Sequence, residues 1–247
     1  MIIKNALIIG ATSAIAQEVA RQLAARGTTL TLWGRSPARL EIIAADLRTK
    51  YGVKVFLEAF DLNNSSLHQP ALDRAVTAGG AFDLALICQG SLPNQSACEK
   101  DYQLVEQEFI TNCLGPISLL TVLGNYFESQ GQGCLAAISS VAGDRGRQSN
   151  YVYGASKAGL STFLAGMRNR LYSKGVHVLT IKPGFVDTPM TANLKKGLLF
   201  ASPEKVARDI IRAVEGRVCV LYTPWFWRSI MLIIRLIPEP IFRKLKM

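Results

Sequence analysis

Residues 2–16, IIKNALIIGATSAIA, pass from an apolar run through a glycine into a segment with helical spacing. The run at 2–9 predicts a strand, and the apolar periodicity over 14–26 predicts a helix. Between them Gly10 can make a tight turn, and Thr12 and Ser13 bring hydroxyls and backbone N–H groups to the helix N-terminus. Such an end carries partial positive charge suited to a pyrophosphate. Ala14 and Ala16 stand where further glycines would complete a dinucleotide fingerprint, so this loop taken alone leaves the nucleotide reading open.

The same alternation continues along the chain. Apolar runs at 28–33, 53–59, 82–88, 133–139, 176–181 and 217–222 alternate with helical segments at 37–50, 64–78, roughly 98–129, 150–173 and 203–215. Several runs are apolar on both faces, as in strands covered by helices on each side of a parallel sheet. The expectation is an α/β, doubly wound parallel sheet of about seven strands with helices on both faces. It forms one domain over residues 1–222, followed by a tail at 223–247. Ligands in this architecture bind beyond the carboxyl ends of the strands, so the residues after each strand are the candidates.

Composition narrows the function classes. The chain has 247 residues and is 49% hydrophobic, enough for a sizeable core. Its formal charge of +10 is compatible with nucleic acid, anionic lipid or phosphorylated ligands. No dense Lys/Arg block interleaves with aromatic residues in the first 200 positions, which argues against nucleic acid. Cys88, Cys98, Cys113, Cys134 and Cys219 form no C-x-x-C pair. Cys88, Cys134 and Cys219 fall in strand-like runs and read as buried thiols of a reducing compartment. His68 and His177 lie in no metal-ligand spacing, so no metal is expected. The N-terminal apolar run is too short for a signal-peptide core, and a cytoplasmic location is expected.

After the second strand comes WGRSPARL, residues 33–40, in a stretch with no acidic residue between Thr28 and Leu40. Arg35 arrives where a carboxylate would clasp a ribose, with Arg39 a turn later. An arginine there fits a 2′-phosphate, against the competing reading of a solvated loop arginine; NADP(H) is favoured over NAD(H). Asp61 and Leu62 follow the third strand and could hold an adenine. Gly90 follows the fourth, Ser139 and Ser140 end the fifth, and Pro183 and Gly184 follow the sixth. In YVYGASKAG, residues 151–159, Tyr153 and Lys157 share a helix face. A chance surface pair is the default reading unless a site surrounds them.

With these motifs the chain resembles the short-chain dehydrogenase/reductase family up to about residue 222. The motifs are GATSAIA, DL at 61–62, NCLGP with Asn112, SSVAG with Ser140, YGASK and KPGFVDT. The resemblance implies a Rossmann-type fold and an NADP(H)-dependent oxidoreductase acting between a carbonyl and a secondary alcohol. It implies Asn112, Ser140, Tyr153 and Lys157 as the catalytic residues. Cofactor contacts would come from Gly10, Thr12, Ser13, Ala14, Ile15, Arg35, Asp61, Leu62 and Gly90. Pro183, Gly184, Val186 and Thr188 would lie along the nicotinamide end, with Tyr153 and Lys157 nearby. A homo-oligomer, dimer or tetramer, is implied as well. The Lys157 ammonium is expected to favour the ionised phenol of Tyr153. Ser140 would hold the substrate oxygen, and Asn112, in a long helix, would position water. Tyr151, six residues from Lys157, is a decoy. ICQG at 87–90 departs from the family's usual NNAG. A protein that binds NADP(H) only as a sensor or scaffold is the alternative.

YGASKAGL together with the tail's IPEPIFRKL is similar to a narrower group, reductases of decaprenylphosphoryl-2-keto-ribose, which implies a keto-sugar or lipid-linked substrate. The loop GDRGRQSN at 143–150 is polar and basic, and MTANLKKGLLF at 190–200 mixes lysines with apolar groups. Both would suit a phosphorylated or lipid-linked molecule. In the tail, the longest uncharged stretch runs from Val218 to Trp227, well short of the ~20 residues of a membrane span. Arg228 and Arg235 share one side of a helix, while Ile230, Ile233, Ile234 and Ile237 point elsewhere. Trp225, Trp227 and Phe242 flank them, and Arg243, Lys244 and Lys246 follow against the lone acid Glu239. The tail is read as a cleft lid, a subunit contact or a segment lying on a membrane surface.

Overall fold

The computed structural model describes residues 1–193 and 195–245; Leu194 of the 190–200 segment and Lys246 of the basic tail lie outside the described residues. The opening stretch forms β1 (Asn5–Ile9) and, past the glycine turn, α1 (Ala14–Ala24). The alternation repeats through β2 (Thr29–Gly34), α2 (Pro37–Tyr51), β3 (Val55–Ala59) and α3 (His68–Gly79). After β4 (Leu84–Ile87) come α4 (Gln95–Cys98), α5 (Tyr102–Phe109) and α6 (Gly115–Gln130). Then follow β5 (Gly133–Ile138), α7 (Tyr151–Tyr172), β6 (Val176–Pro183), α8 (Pro203–Glu215) and β7 (Val220–Thr223). The tail forms α9 (Trp227–Leu236) and α10 (Glu239–Phe242).

All seven strands join one parallel sheet in the order β3-β2-β1-β4-β5-β6-β7. Successive residues of β1 feed opposite cores. Ala6 and Ile8 pack with Val19, Leu40 and Ile210 of α1, α2 and α8, whereas Leu7 and Ile9 pack with Leu72, Leu119 and Leu164 of α3, α6 and α7. The two-residue period of a strand therefore serves two helical layers, which is why β1 is apolar throughout. Strand order reverses between β1 and β4, and a crevice opens at such a switch point.

Two boundaries differ from the sequence expectation. β7 begins at Val220, and Cys219 is exposed rather than buried, unlike Cys88 and Cys134. It is an edge strand, and Arg217, with φ 51°, turns the chain just before it. The helix expected over 98–129 is broken into α4, α5 and α6 with a wide turn at Ile110–Leu114. There the Gly115 N–H reaches the carbonyl of Ile110, one residue further back than in an α-helix. Pro116 has no N–H to give the Asn112 carbonyl, so the ladder must skip at this point.

The tail docks on the turn that follows β5. Trp227 and Met231 are buried with Val141, and Phe226, Ile230 and Ile234 pack around them. Burying side chains of this size contributes roughly 1.5–3 kcal/mol each. Arg145 donates from Nη1 to the Ile234 and Ile237 carbonyls, both at 2.6 Å, and so closes the C-terminus of α9. Its Nη2 reaches Glu239 Oε2 at 2.8 Å, and its guanidinium lies 3.6 Å from the Phe242 ring centre. Next to it Asp144 accepts from Lys182 Nζ at 2.5 Å and from the Tyr222 hydroxyl at 2.8 Å. Leu232, Ile233 and Leu236 remain exposed beside Arg228 and Arg235, so Ile233 lies on the outer face and not with Ile230 and Ile234. Among the described residues no helix is long and apolar enough to cross a membrane.

Candidate active site

A cavity of about 700 Å3 runs along the carboxyl ends of the strands. That lies within the ~300–1,000 Å3 typical of small-molecule sites. After β1 it is lined by Gly10, Thr12, Ser13, Ala14 and Ile15; after β2, by Arg35 and Arg39; after β3, by Asp61 and Leu62. Gly90 lines it after β4, Ser140 after β5, and Pro183, Gly184, Val186 and Thr188 after β6, with Tyr153 and Lys157 reaching in from α7. Tyr151 is exposed.

The glycine-poor turn keeps the glycine its backbone requires. Gly10 has φ +76°, and a Cβ there would sit 2.8 Å from the Gln89 backbone N, so no larger residue fits between β1 and β4. Ser13 caps α1 by accepting from the Ala16 N–H at 3.5 Å. Ala16 is fully buried in the core and stands clear of the cavity, so only the Ala14 methyl faces a ligand.

At the other end Lys157 is buried and donates from Nζ to the Ile138 carbonyl at 3.1 Å, with Nζ 5.7 Å from the Tyr153 ring centre. Burial pulls its pKa down from 10.5 to about 8, opposed by Cys113, Cys88 and Glu108. Tyr153 departs from the sequence expectation. Burial pushes its phenol up from the ordinary value; the Ser140 hydroxyl beside it pulls the other way, and the Glu108 carboxylate adds to the rise. Desolvation outweighs the Ser140 hydrogen bond, so the phenol holds its proton at neutral pH. Ser140 Oγ accepts from the Ala142 N–H at 3.1 Å, which leaves its own O–H to donate elsewhere. One residue earlier, Ser139 Oγ donates to the Lys157 carbonyl at 2.9 Å and ties β5 to α7.

Asn112 is the expected site residue that does not line the cavity. It is fully buried, and its Nδ2 donates to Glu108 Oε2 at 2.8 Å and to Ser91 Oγ at 3.2 Å. Its Oδ1 accepts from the Ser91 N–H at 3.1 Å. The side chain therefore ties the loop after Gly90 to the turn at Ile110–Leu114. That loop has its own bracing despite reading ICQG. Gln89 Nε2 donates to Asn63 Oδ1 at 2.6 Å, and Asn63 Nδ2 donates to Thr111 Oγ1 at 3.0 Å.

The sequence did not single out several lining residues: Arg147, Asn150, Phe185, Met190 and Trp227. The basic loop was the only forewarning of Arg147. For Trp227 the forewarning was the cleft-lid reading of the tail, which did not say which tail residue would enter the cavity. Its indole packs so closely on Gly184 that a Cβ there would lie 1.9 Å from Nε1.

The family model described as short chain dehydrogenase matches residues 4–198. The chain belongs to the short-chain dehydrogenase family. An uncharacterised oxidoreductase of Mycobacterium tuberculosis is 35% identical over 97% of this chain and 96% of its own length. One from Streptomyces coelicolor is 34% identical over 98% and 96%. Among solved structures, a short-chain dehydrogenase from Burkholderia cenocepacia in complex with NADP superposes with TM-score 0.84 at 20% identity, over 98% of this chain and 97% of that one. One from Sphingobium yanoikuyae in complex with NADPH gives 0.80 at 22%, over 92% and 91%. At those identities the likeness is one of fold. As a short-chain dehydrogenase, the protein is an oxidoreductase acting between CH–OH and C=O groups.

Proposed function

We propose that the protein reduces ketones with NADPH, and oxidises secondary alcohols with NADP+, using Tyr153 as general acid and base. The observation that carries this is that Tyr153, Ser140 and Lys157 line the same cavity as the glycine turn and Arg35. The dinucleotide fits the residues present. The α1 N-terminus lies in the lining, where partial positive charge suits a pyrophosphate. Gln89 Oε1, buried in the lining without a partner among the described residues, is an acceptor for a ligand donor. Solved relatives in complex with NADP and NADPH support the choice of nucleotide, and Arg35 and Arg39 support the 2′-phosphate.

When bound, NADPH supplies the hydride to the carbonyl carbon. Ser140 donates to the carbonyl oxygen and holds it near Tyr153. Tyr153, protonated because it is buried, gives its proton to the developing alkoxide. Lys157 places an ammonium beside the phenolate that remains and holds the cofactor ribose. Pro183, Gly184, Val186 and Thr188 border the nicotinamide end, and Asp61 and Leu62 the adenine. Asn112 and Glu108 position the Gly90 loop, and the Asn112 carbonyl, freed by Pro116, is an acceptor for a water that resupplies the proton. The docked Trp227 makes the tail a lid over the substrate end of the cavity.

This chemistry has a pH signature. Lys157 loses its charge as pH rises through about 8, well before Tyr153, whose pKa lies above its ordinary 10. The kcat/KM for reduction should be level at neutral pH and fall as pH rises past about 8. A profile flat into the range of the phenol would remove Lys157 from the mechanism. The reading as a whole is tested by following NADPH and NADH oxidation by purified protein over a panel of aliphatic, aromatic and sugar ketones. Turnover with NADPH supports it. Tight NADPH binding with no ketone turned over would make the protein a binder and not a reductase.

A further inference from the structure

Besides Gln89 Oε1, three buried polar atoms in the cavity lining have no partner among the described residues: Arg147 Nε, Trp227 Nε1 and Asn150 Oδ1. Arg147 sits on the loop between Ser140 and Tyr153, so it belongs to the end of the cavity where the carbonyl would react. The neighbouring carboxylate that could neutralise it is already engaged. Asp144 accepts from Lys182 at 2.5 Å and from Tyr222 at 2.8 Å. Burial works against the Arg147 charge, and Asp144 offsets this only through space. A half-buried guanidinium without a direct counter-charge is unfavourable, and an incoming anion would relieve that cost.

The cofactor does not meet this need. Its candidate phosphate contacts follow β1 and β2, whereas Arg147 follows β5. In the order β2-β1-β4-β5, three strand spacings separate Arg35 from this loop. At ~4.8 Å per spacing that is about 14 Å. Beside the polar groups of its own loop, Ser149 and Asn150, the cavity lining holds the apolar side chains of Leu92, Pro93, Phe185 and Met190 and the Trp227 ring.

We infer that Arg147 is the anchor of an anion-binding subsite, and that the substrate is a ketone or secondary alcohol carrying a carboxylate or phosphate on an apolar skeleton. The inference rests on the carbonyl-reductase reading only for which end of the cavity holds substrate. Asn150, three residues along the same loop and also in the lining, is a polar neighbour for the anion. The docked tail adds the Trp227 ring to the wall of the same cavity.

The test compares a methyl ketone with its analogues bearing a terminal carboxylate or a terminal phosphate monoester, using NADPH and the full-length protein. A binding arm titrates octanoate and octanol into the NADP+-loaded protein, read by calorimetry. Wild type should prefer an anionic ketone by at least about ten-fold in kcat/KM, as one charge-assisted hydrogen bond would give. Which anion is preferred tells carboxylate from phosphate. Arg147→Met should bring that ratio close to one and abolish the octanoate preference, while Arg147→Lys retains part of both. NADPH titration of each variant reports that it has folded. Equal use of neutral and anionic ketones by wild type, or a preference that survives in Arg147→Met, overturns the subsite and leaves the reductase reading standing. Octanoate binding that depends on Arg147, with no ketone turned over, supports the subsite and overturns the reductase.

Discussion

Tyr153→Phe is expected to lower kcat for ketone reduction by about a hundred- to ten-thousand-fold, the usual worth of a positioned general acid. The substitution removes one oxygen from a half-buried ring. Ser140 keeps its bond from the Ala142 N–H, and Lys157 keeps its bond to the Ile138 carbonyl. The cavity wall therefore stays in place, NADPH should bind as before, and the loss should fall on kcat. Stopped-flow reduction with titration of NADPH separates the two. Wild-type-like turnover in the variant would take Tyr153 out of the chemistry, and a matching loss of NADPH affinity would make its role structural.

Arg35→Asp is expected to reverse the nucleotide preference. Charge-assisted hydrogen bonds from a guanidinium to a phosphate are worth about 1.5–3 kcal/mol, or about ten- to a hundred-fold in affinity. The replacement adds repulsion between a carboxylate and the 2′-phosphate, and it gains an acceptor for the 2′-hydroxyl of NADH. The ratio of NADPH to NADH affinities should therefore fall by about a hundred-fold or more. Arg39, also in the lining, would retain part of the phosphate affinity, so Arg35→Asp with Arg39→Ala should shift the ratio further. Equal affinities for the two nucleotides in wild type, unchanged in the variant, would leave Arg35 a solvated loop residue.

Most of the fold was legible because each strand carries its own evidence. β1, β4, β5 and β6 are apolar on both faces, and a parallel sheet clad on both sides demands that pattern. The strand ends were legible for the same reason: the crevice lies where each run stops. What failed depends on contacts between distant segments or on one missing donor. Pro116 was visible in NCLGP, yet its consequence, an interrupted ladder at Ile110–Leu114, was masked by helical periodicity on both sides. Asn112 was legible from NCLGP as a candidate for positioning water, but the engagement of its side chain by Glu108 and Ser91 was not, because those contacts join separate segments. The protonation state of Tyr153 could not be read from a Tyr–Lys spacing, since burial raises the phenol and only a three-dimensional structure gives the burial. Trp227 is the clearest case. Nothing in PWFWRSIM distinguishes the indole that enters the cleft from Trp225, which stays exposed.

The claim that the Tyr153 cavity is a site of hydride transfer is tested most directly with NADPH deuterated at C4 and the best ketone from the panel. The account predicts an alcohol with deuterium on the carbinol carbon from wild type and almost none from Tyr153→Phe. Deuterium retained on the cofactor after prolonged incubation with every ketone, in a protein that binds NADPH, would contradict it.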